Sequence, residues 1–385
     1  MPVYLDNNAT TFLDPRVLEA MRPYLEGPYG NPSSVHRYGR AARDAIETAR
    51  AQVAALVNAR PVQVIFTSGA TESNNMAVRG ALAKSPPGRV LISAIEHPSL
   101  WELFEPLRRE GWRCEWIPVD RDGLIDVGWI EHALGQGEVR LVAAMYANNE
   151  TGVIQDAAAV GRLCRARGAA YHCDAVQAAG KLPLDFGAIG AHSMTVSSHK
   201  MYGPKGVAAL ILDRALDVVP LMYGGGHEAG LRPGTENVAA IVGFGEAAVR
   251  AKVELAGRAS HMRALRDQLE AGLRELPGVA IFGARCERLP NTSQFAFPGF
   301  DGEALLMALD RKGIAVSSGS ACATGKGEPS HVLVGMGIER ELAKGAVRVS
   351  FGKDSTAEEV GKLLAALREI AGGAPALLPG AMAGA

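Results

Sequence analysis

Short apolar runs that end on polar residues, each followed by a stretch of helical period, recur through most of this 385-residue chain. Val62-Gln63-Val64-Ile65-Phe66 is followed by a helical stretch from near Thr71, and Arg89-Val90-Leu91-Ile92-Ser93 is the next run. Val139 to Met145 is a third, Ala169 to Cys173 leads to Asp174, and Ser193 to Val196 leads to Lys200. Such runs suit strands buried on both faces, and the helices between them supply the cover. The expectation is an α/β chain with a mostly parallel sheet. Between Arg40 and Leu56 the residues Ala42, Ile46, Ala49, Val53 and Leu56 step by three or four, the helical period. Met262, Leu265, Leu269, Leu273 and Leu276 mark a second such helix, near which a domain boundary is expected. Strands near Gln294–Phe297, Ile314–Ser317 and Ala346–Ser350 then form a smaller α/β domain. The expected division is 15–255 for the large domain and 1–14 with 256–372 for the small one. The small-residue tail, 373–385, is expected to be disordered.

Composition removes several classes of function. The formal net charge is -1, with no basic excess to hold nucleic acid directly. No apolar run approaches the roughly 18–20 residues of a membrane span, and the N-terminus lacks the pattern of a signal peptide. Five cysteines, widely spaced and without a CxxC pair, argue against a disulfide framework or a zinc site. Cys114, Cys164, Cys173 and Cys286 read as small buried residues, and a reducing cytoplasm is the expected compartment. Cys322 differs: Ser317-Ser318-Gly319-Ser320-Ala321-Cys322-Ala323-Thr324-Gly325 is a loop composition, where a purely structural thiol is a liability.

Ligands of open parallel sheets gather at the carboxyl ends of the strands. Thr67-Ser68-Gly69-Ala70-Thr71-Glu72 follows one strand and opens a helix, an arrangement suited to phosphate, although an ordinary helix cap looks the same. Asp174 and Lys200 change the balance. A lysine at a sheet edge can hold an aldehyde cofactor covalently, and an acid can keep a pyridine nitrogen protonated so that the ring accepts electrons. Here the lysine follows Ser197-Ser198-His199, hydroxyls and an imidazole able to bind the phosphate of pyridoxal 5'-phosphate (PLP).

The order of motifs resembles the cysteine desulfurases of the NifS/IscS type, class V of the aminotransferase-like PLP enzymes. The resemblance runs through Tyr4 to Thr11, Gly30 to Ser34, Ser68 to Asn74, Glu96-His97-Pro98, Asn148 to Gly152, Asp174 to Gln177, Ser197 to Lys200, Arg232 to Asn237, Ser317 to Cys322 and Val347 to Ser350. It implies PLP-dependent transferase fold type I, with a mostly parallel seven-stranded sheet in the large domain. It also implies conversion of L-cysteine to L-alanine, with sulfur leaving as a persulfide on Cys322. Carried over by motif, Lys200 holds PLP, Asp174 pairs with the ring nitrogen, and Gln177 meets the phenolic oxygen. His97 stacks on the ring and serves in acid–base steps. Ala70, Thr71, Ser197 and His199 hold the phosphate, joined by Thr235 from a second subunit of a homodimer. Asn149 contacts cofactor or substrate, and Arg348 clamps the substrate carboxylate, as a planar guanidinium suits. No metal is expected, beyond passing ligation of an iron–sulfur cluster by Cys322.

Sulfur acceptors of the family include iron–sulfur scaffolds, nitrogenase maturation systems and tRNA-thiolation relays. Pro233 and Lys353-Asp354 depart from the family pattern, and the tail lacks its aromatic-bearing segment. A selenocysteine lyase and a class V aminotransferase are the nearest rival readings. A non-catalytic protein of the same fold and a nucleotide-binding α/β protein are the more distant ones, and no GxxxxGK[ST] loop supports the last.

Overall fold

The computed structural model describes residues 2–27, 29–318 and 328–373. Its strands, in chain order, are β1 (Val3–Tyr4), β2 (Val64–Thr67), β3 (Arg89–Ser93), β4 (Arg113–Ile117), β5 (Val139–Ala143), β6 (Ala170–Asp174) and β7 (Ser193–Ser197). There follow β8 (Ala208–Leu212), β9 (Ala280–Ile281), β10 (Thr292–Ala296), β11 (Ile314–Ala315), β12 (Ser317–Ser318) and β13 (Ala346–Ser350). Seven of them form one sheet in the order β2-β8-β7-β6-β5-β3-β4. All pairings in it are parallel except those of β8, which runs antiparallel to both neighbours. Helices cover both faces, which is why β3 and β8 are buried at every position. Helix Arg37–Leu56 buries Ala42, Ile46, Ala49 and Val53. Against it lies helix Val238–Val253, where a Cβ on Gly245 would stand 2.8 Å from Ala49 Cα; only glycine permits that approach.

A second sheet, β12-β13-β10-β9, is antiparallel and packs a separate apolar cluster with helices Leu255–Arg274 and Ala357–Gly373. The expected strand over Ile314–Ser317 divides between two sheets. Ile314 and Ala315 pair in parallel with Val3 and Tyr4, whereas Ser317 and Ser318 pair with β13. Thus the N-terminal segment is stitched to the C-terminal part of the chain. The run from Val62 starts later than its composition suggests, because Pro61–Gln63 forms a 3-10 turn before β2. Cys164 and Cys173 are buried as expected, but Cys114 and Cys286 are only half-buried. The expected disordered tail lies outside the described residues from 374 onward. Among the described residues no helix is long and apolar enough to cross a membrane.

Candidate active site

The carboxyl ends of the central strands open on a cavity of about 540 Å³. Ala70, Thr71, His97, Asn149, Asp174, Gln177, Ser197, His199, Lys200 and Arg348 all line it, although they come from positions nearly three hundred residues apart. Thr235 does not; it is exposed in the loop before helix Val238–Val253. Cys322 lies outside the described residues.

Each wall follows from local structure. Helix Ala70–Leu82 begins after β2 with Gly69 at its N-cap and no side chain bonded to its first N–H groups. Those donors are left for a ligand, and a Cβ on Gly69 would meet nothing within 4 Å. Ser197 ends β7, and its buried Oγ has no hydrogen-bond partner. His199 and Lys200 occupy the 3-10 turn that follows. The Lys200 Nζ donates to the carbonyls of Asn8 at 2.5 Å and Ala9 at 2.8 Å. Tyr202, just beyond, is held in the left-handed region at φ 69°, a strained conformation for a residue with a side chain. Thr11 secures the turn, since its Oγ1 accepts from the Tyr202 N–H at 2.7 Å and donates to the His199 carbonyl at 2.9 Å. Lys353, which departs from the family pattern, lies 5.2 Å from the Phe12 ring centre and 5.4 Å from that of Tyr202, bracing the same turn.

Asp174 ends β6 and is 6% exposed. One oxygen accepts from the Val176 N–H at 3.0 Å, the other from Asn74 Nδ2 at 2.7 Å. Behind it, Asn74 Oδ1 meets His172 Nε2 at 3.0 Å, and His172 Nδ1 meets Ser193 Oγ at 2.9 Å. His172 and Asp174 share one face of β6 because strand residues two apart do. Burial lowers the His172 imidazole to about 4, despite the pull of Asp174. Asn74 also donates to Ser99 Oγ at 2.8 Å, which lies 2.9 Å from His97 Nδ1, so the cavity's imidazole and its acid hang on one asparagine. Burial lowers His97 too, Asp174 opposing and Lys200, His331 and Arg348 reinforcing. His199 is held at about 4, by burial first and then by the nearby lysines.

Arg348 is on β13, where Val347 and Val349, with Phe351 just beyond the strand, face the apolar cluster and leave it the opposite face. It is 4% exposed. It donates to Asp6 at 2.7 Å and to the Asn149 carbonyl at 3.1 Å, while its Nε is buried and unpartnered. The Asn149 Oδ1 is likewise buried without a partner. Sequence reasoning left out Asn8, Ala9 and Thr10 on the cavity wall and the buried Asn74, Ser99, His172 and Lys181 behind it. Asn8, Ala9 and Thr10 lie inside the motif Tyr4 to Thr11, a signal that marked the segment but gave it no role.

Such a cavity, with a lysine after one central strand, an acid ending the next and an uncapped helix start beside them, defines a class of α/β enzymes with a lysine-held cofactor. Residues 3–363 match the family model of class-V aminotransferases. Cysteine desulfurase IscS of Klebsiella pneumoniae (strain 342) is 43% identical over 367 residues, spanning 94% of this chain and 90% of that one. The solved structure of a NifS-like protein from Rickettsia africae ESF-5 superposes with a TM-score of 0.89 at 36% identity, covering 96% of this chain and 99% of the other. That of SspA in complex with cysteine gives 0.80 at 29% identity, over 92% and 100%. The chain belongs to the class-V aminotransferase family and, within it, to the PLP-dependent cysteine desulfurases. The residues present fit that cofactor: free helix N–H groups and the orphaned Ser197 Oγ suit a phosphate, and the buried Asp174 carboxylate suits a pyridinium.

Proposed function

We propose that the chain removes sulfur from L-cysteine, carries it as a persulfide on Cys322 and releases L-alanine, with Lys200, Asp174, His97 and Arg348 as the working groups. One observation supports this most: Lys200, Asp174 and Arg348, each with a different charge task, line a single cavity. PLP, when bound, supplies a sink for the electron pair left when the substrate Cα loses its proton. Arg348 receives the substrate carboxylate, its unpartnered Nε giving a donor still to be filled. Lys200 holds the cofactor, and its Nζ moves the proton to and from Cα. With PLP bound, Asp174 would keep the ring nitrogen protonated, Gln177 would meet the phenolic oxygen, and Asn149 would contact cofactor or substrate. Ala70, Thr71, Ser197 and His199 would hold the phosphate. His97 would stack on the ring and exchange protons with the sulfur groups. The Cys322 thiolate attacks the substrate sulfur: an S–S bond forms, the C–S bond breaks, and its electron pair stays on carbon, which takes up a proton to give alanine.

We further propose a homodimer in which Thr235 of each subunit completes the other's phosphate site. In support, Tyr29 is 99% and Tyr223 83% exposed, with Val35 and Met222 also bare, on two loops joined by a 3.0 Å contact between Ser33 and His227. The cavity is read as lying between a large domain, 15–255, and a small one, 1–14 with 256–372; in support, one apolar cluster draws only on residues of the latter, Val3 and Leu5 together with residues from Met262 onward. The enzyme is placed in the cytoplasm, and its acceptor is a protein thiol such as that of an iron–sulfur scaffold, neither nucleic acid nor membrane. Cysteine turnover by Cys322→Ala tests the reading. The variant is expected to keep PLP yet form no persulfide and almost no alanine. Alanine at the normal rate would overturn it.

A further inference from the structure

Lys181 is 5% exposed, has no carboxylate beside it among the described residues, and performs no step above. Its Nζ donates to Gln177 Oε1 at 2.7 Å and to Asn8 Oδ1 at 3.2 Å. Gln177 lines the cavity; Lys181 does not. The amide directions can be assigned from groups that only accept. Asn8 Nδ2 meets the Asn149 carbonyl at 3.1 Å, so Asn8 Oδ1 is the atom turned to Lys181. Gln177 Nε2 meets the Asn8 carbonyl at 3.0 Å, so Gln177 Oε1 is the atom Lys181 binds. Asn291 donates to Asn8 Oδ1 as well, at 3.0 Å, and fills that oxygen. Gln177 Oε1 has no other partner among the hydrogen bonds of the described residues. Of the two amide hydrogens on Nε2, the Asn8 carbonyl takes one and the second is left over.

We propose that Lys181 is a positioning residue for cofactor binding: by holding Gln177 Oε1 in the wall, it turns the spare Nε2–H of Gln177 to the cavity, where an anionic phenolic oxygen is met. This rests on the placement of Gln177 beside PLP and adds what keeps its amide the right way round. A glutamine turned over would offer Oε1 to an oxyanion, a repulsive contact, would turn its own N–H donors toward the Lys181 amine and would leave the Asn8 carbonyl without the Gln177 donor. The turns that follow β6, with Gly180 in the left-handed region at φ 74°, bring the two side chains together, and burial pushes the Lys181 amine well below the usual lysine range, with Lys200 and Arg348 adding to the shift. A neutral amine keeps two N–H donors, one for each of the two oxygens that Lys181 meets.

The test is a double-mutant cycle on the full-length protein, read by PLP dissociation constant and by the position of the visible absorption band, without added cysteine. Lys181→Met is expected to weaken PLP binding about tenfold and to displace the band, as loss of one well-placed hydrogen bond does. Lys181→Gln, which keeps a neutral donor, is expected to recover most of the affinity. In a Gln177→Met background, Lys181→Met should add less than about twofold, because there is no amide left to orient. If the two substitutions weaken binding independently, or if Lys181→Met binds PLP with the normal constant and band, the inference fails. Failure of cysteine turnover would overturn the proposed reaction and leave this result standing, since neither readout needs the substrate.

Discussion

Acid should destabilise this protein through His172, and the size of the effect can be worked out. The imidazole is fully buried, bonded to Asn74 and Ser193, and titrates at about 4 in the fold. In the unfolded chain it titrates near the ordinary value of about 6.5. Because the folded value is the lower, the unfolded chain binds the proton first as the pH falls. The stability this group contributes is therefore complete above about 6.5 and is lost as the pH drops toward 4. The whole difference is about 3 kcal/mol, and about 2 kcal/mol of it goes between pH 7 and pH 5. For a chain of this length, with an unfolding entropy of about 2 cal/mol/K per residue, that equals a fall in Tm of about 2–3 °C. The measurement is thermal unfolding of the PLP-saturated protein and of His172→Gln at several pH values. His199 and the carboxylates titrate in both proteins, so the difference between the two curves isolates His172. The wild type should lose about 2–3 °C more than the variant over this range. Parallel curves would show that the buried imidazole is not the acid-sensitive group.

Borohydride reduction followed by peptide mapping is expected to find the cofactor on Lys200; label on Lys181 or Lys205 instead would overturn the assignment of the turn after β7. Arg348→Lys replaces a fork that can take two carboxylate oxygens by a single point charge. The expected result is a loss of roughly ten- to a hundredfold in kcat/KM for cysteine, carried mainly by KM, and a loss confined to kcat would contradict a binding role. Light scattering should show a dimer, and Thr235→Ala should raise the PLP dissociation constant, although Thr235 is outside the cavity of its own chain; a monomer that retains PLP and activity would refute the shared site.

What the sequence determined by itself was the chemistry at the strand ends. Asp174, Lys200 and the stretch opening at Gly69 were legible because each sits one to four residues past a run of apolar residues, where a parallel sheet has to place them. Arg348 was legible because Val347, Val349 and Phe351 alternate with it, and alternation in a strand is a statement about faces. Cys322 stood out from composition alone. Tertiary structure decided the rest, for the reason that it depends on pairs far apart in the chain. Nothing local says that β8 inserts antiparallel between β2 and β7, or that Ile314–Ser317 divides between two sheets. The N-terminal segment reaches Lys200, Gln177, Thr292 and Ser350 through Asn8, contacts spanning from 169 to 342 residues. Asn74, His172, Ser193 and Lys181 looked like ordinary polar residues in helices, strands and turns. They acquire meaning only when folding removes them from water, because a buried polar group has to find its partner among whatever the fold brings near.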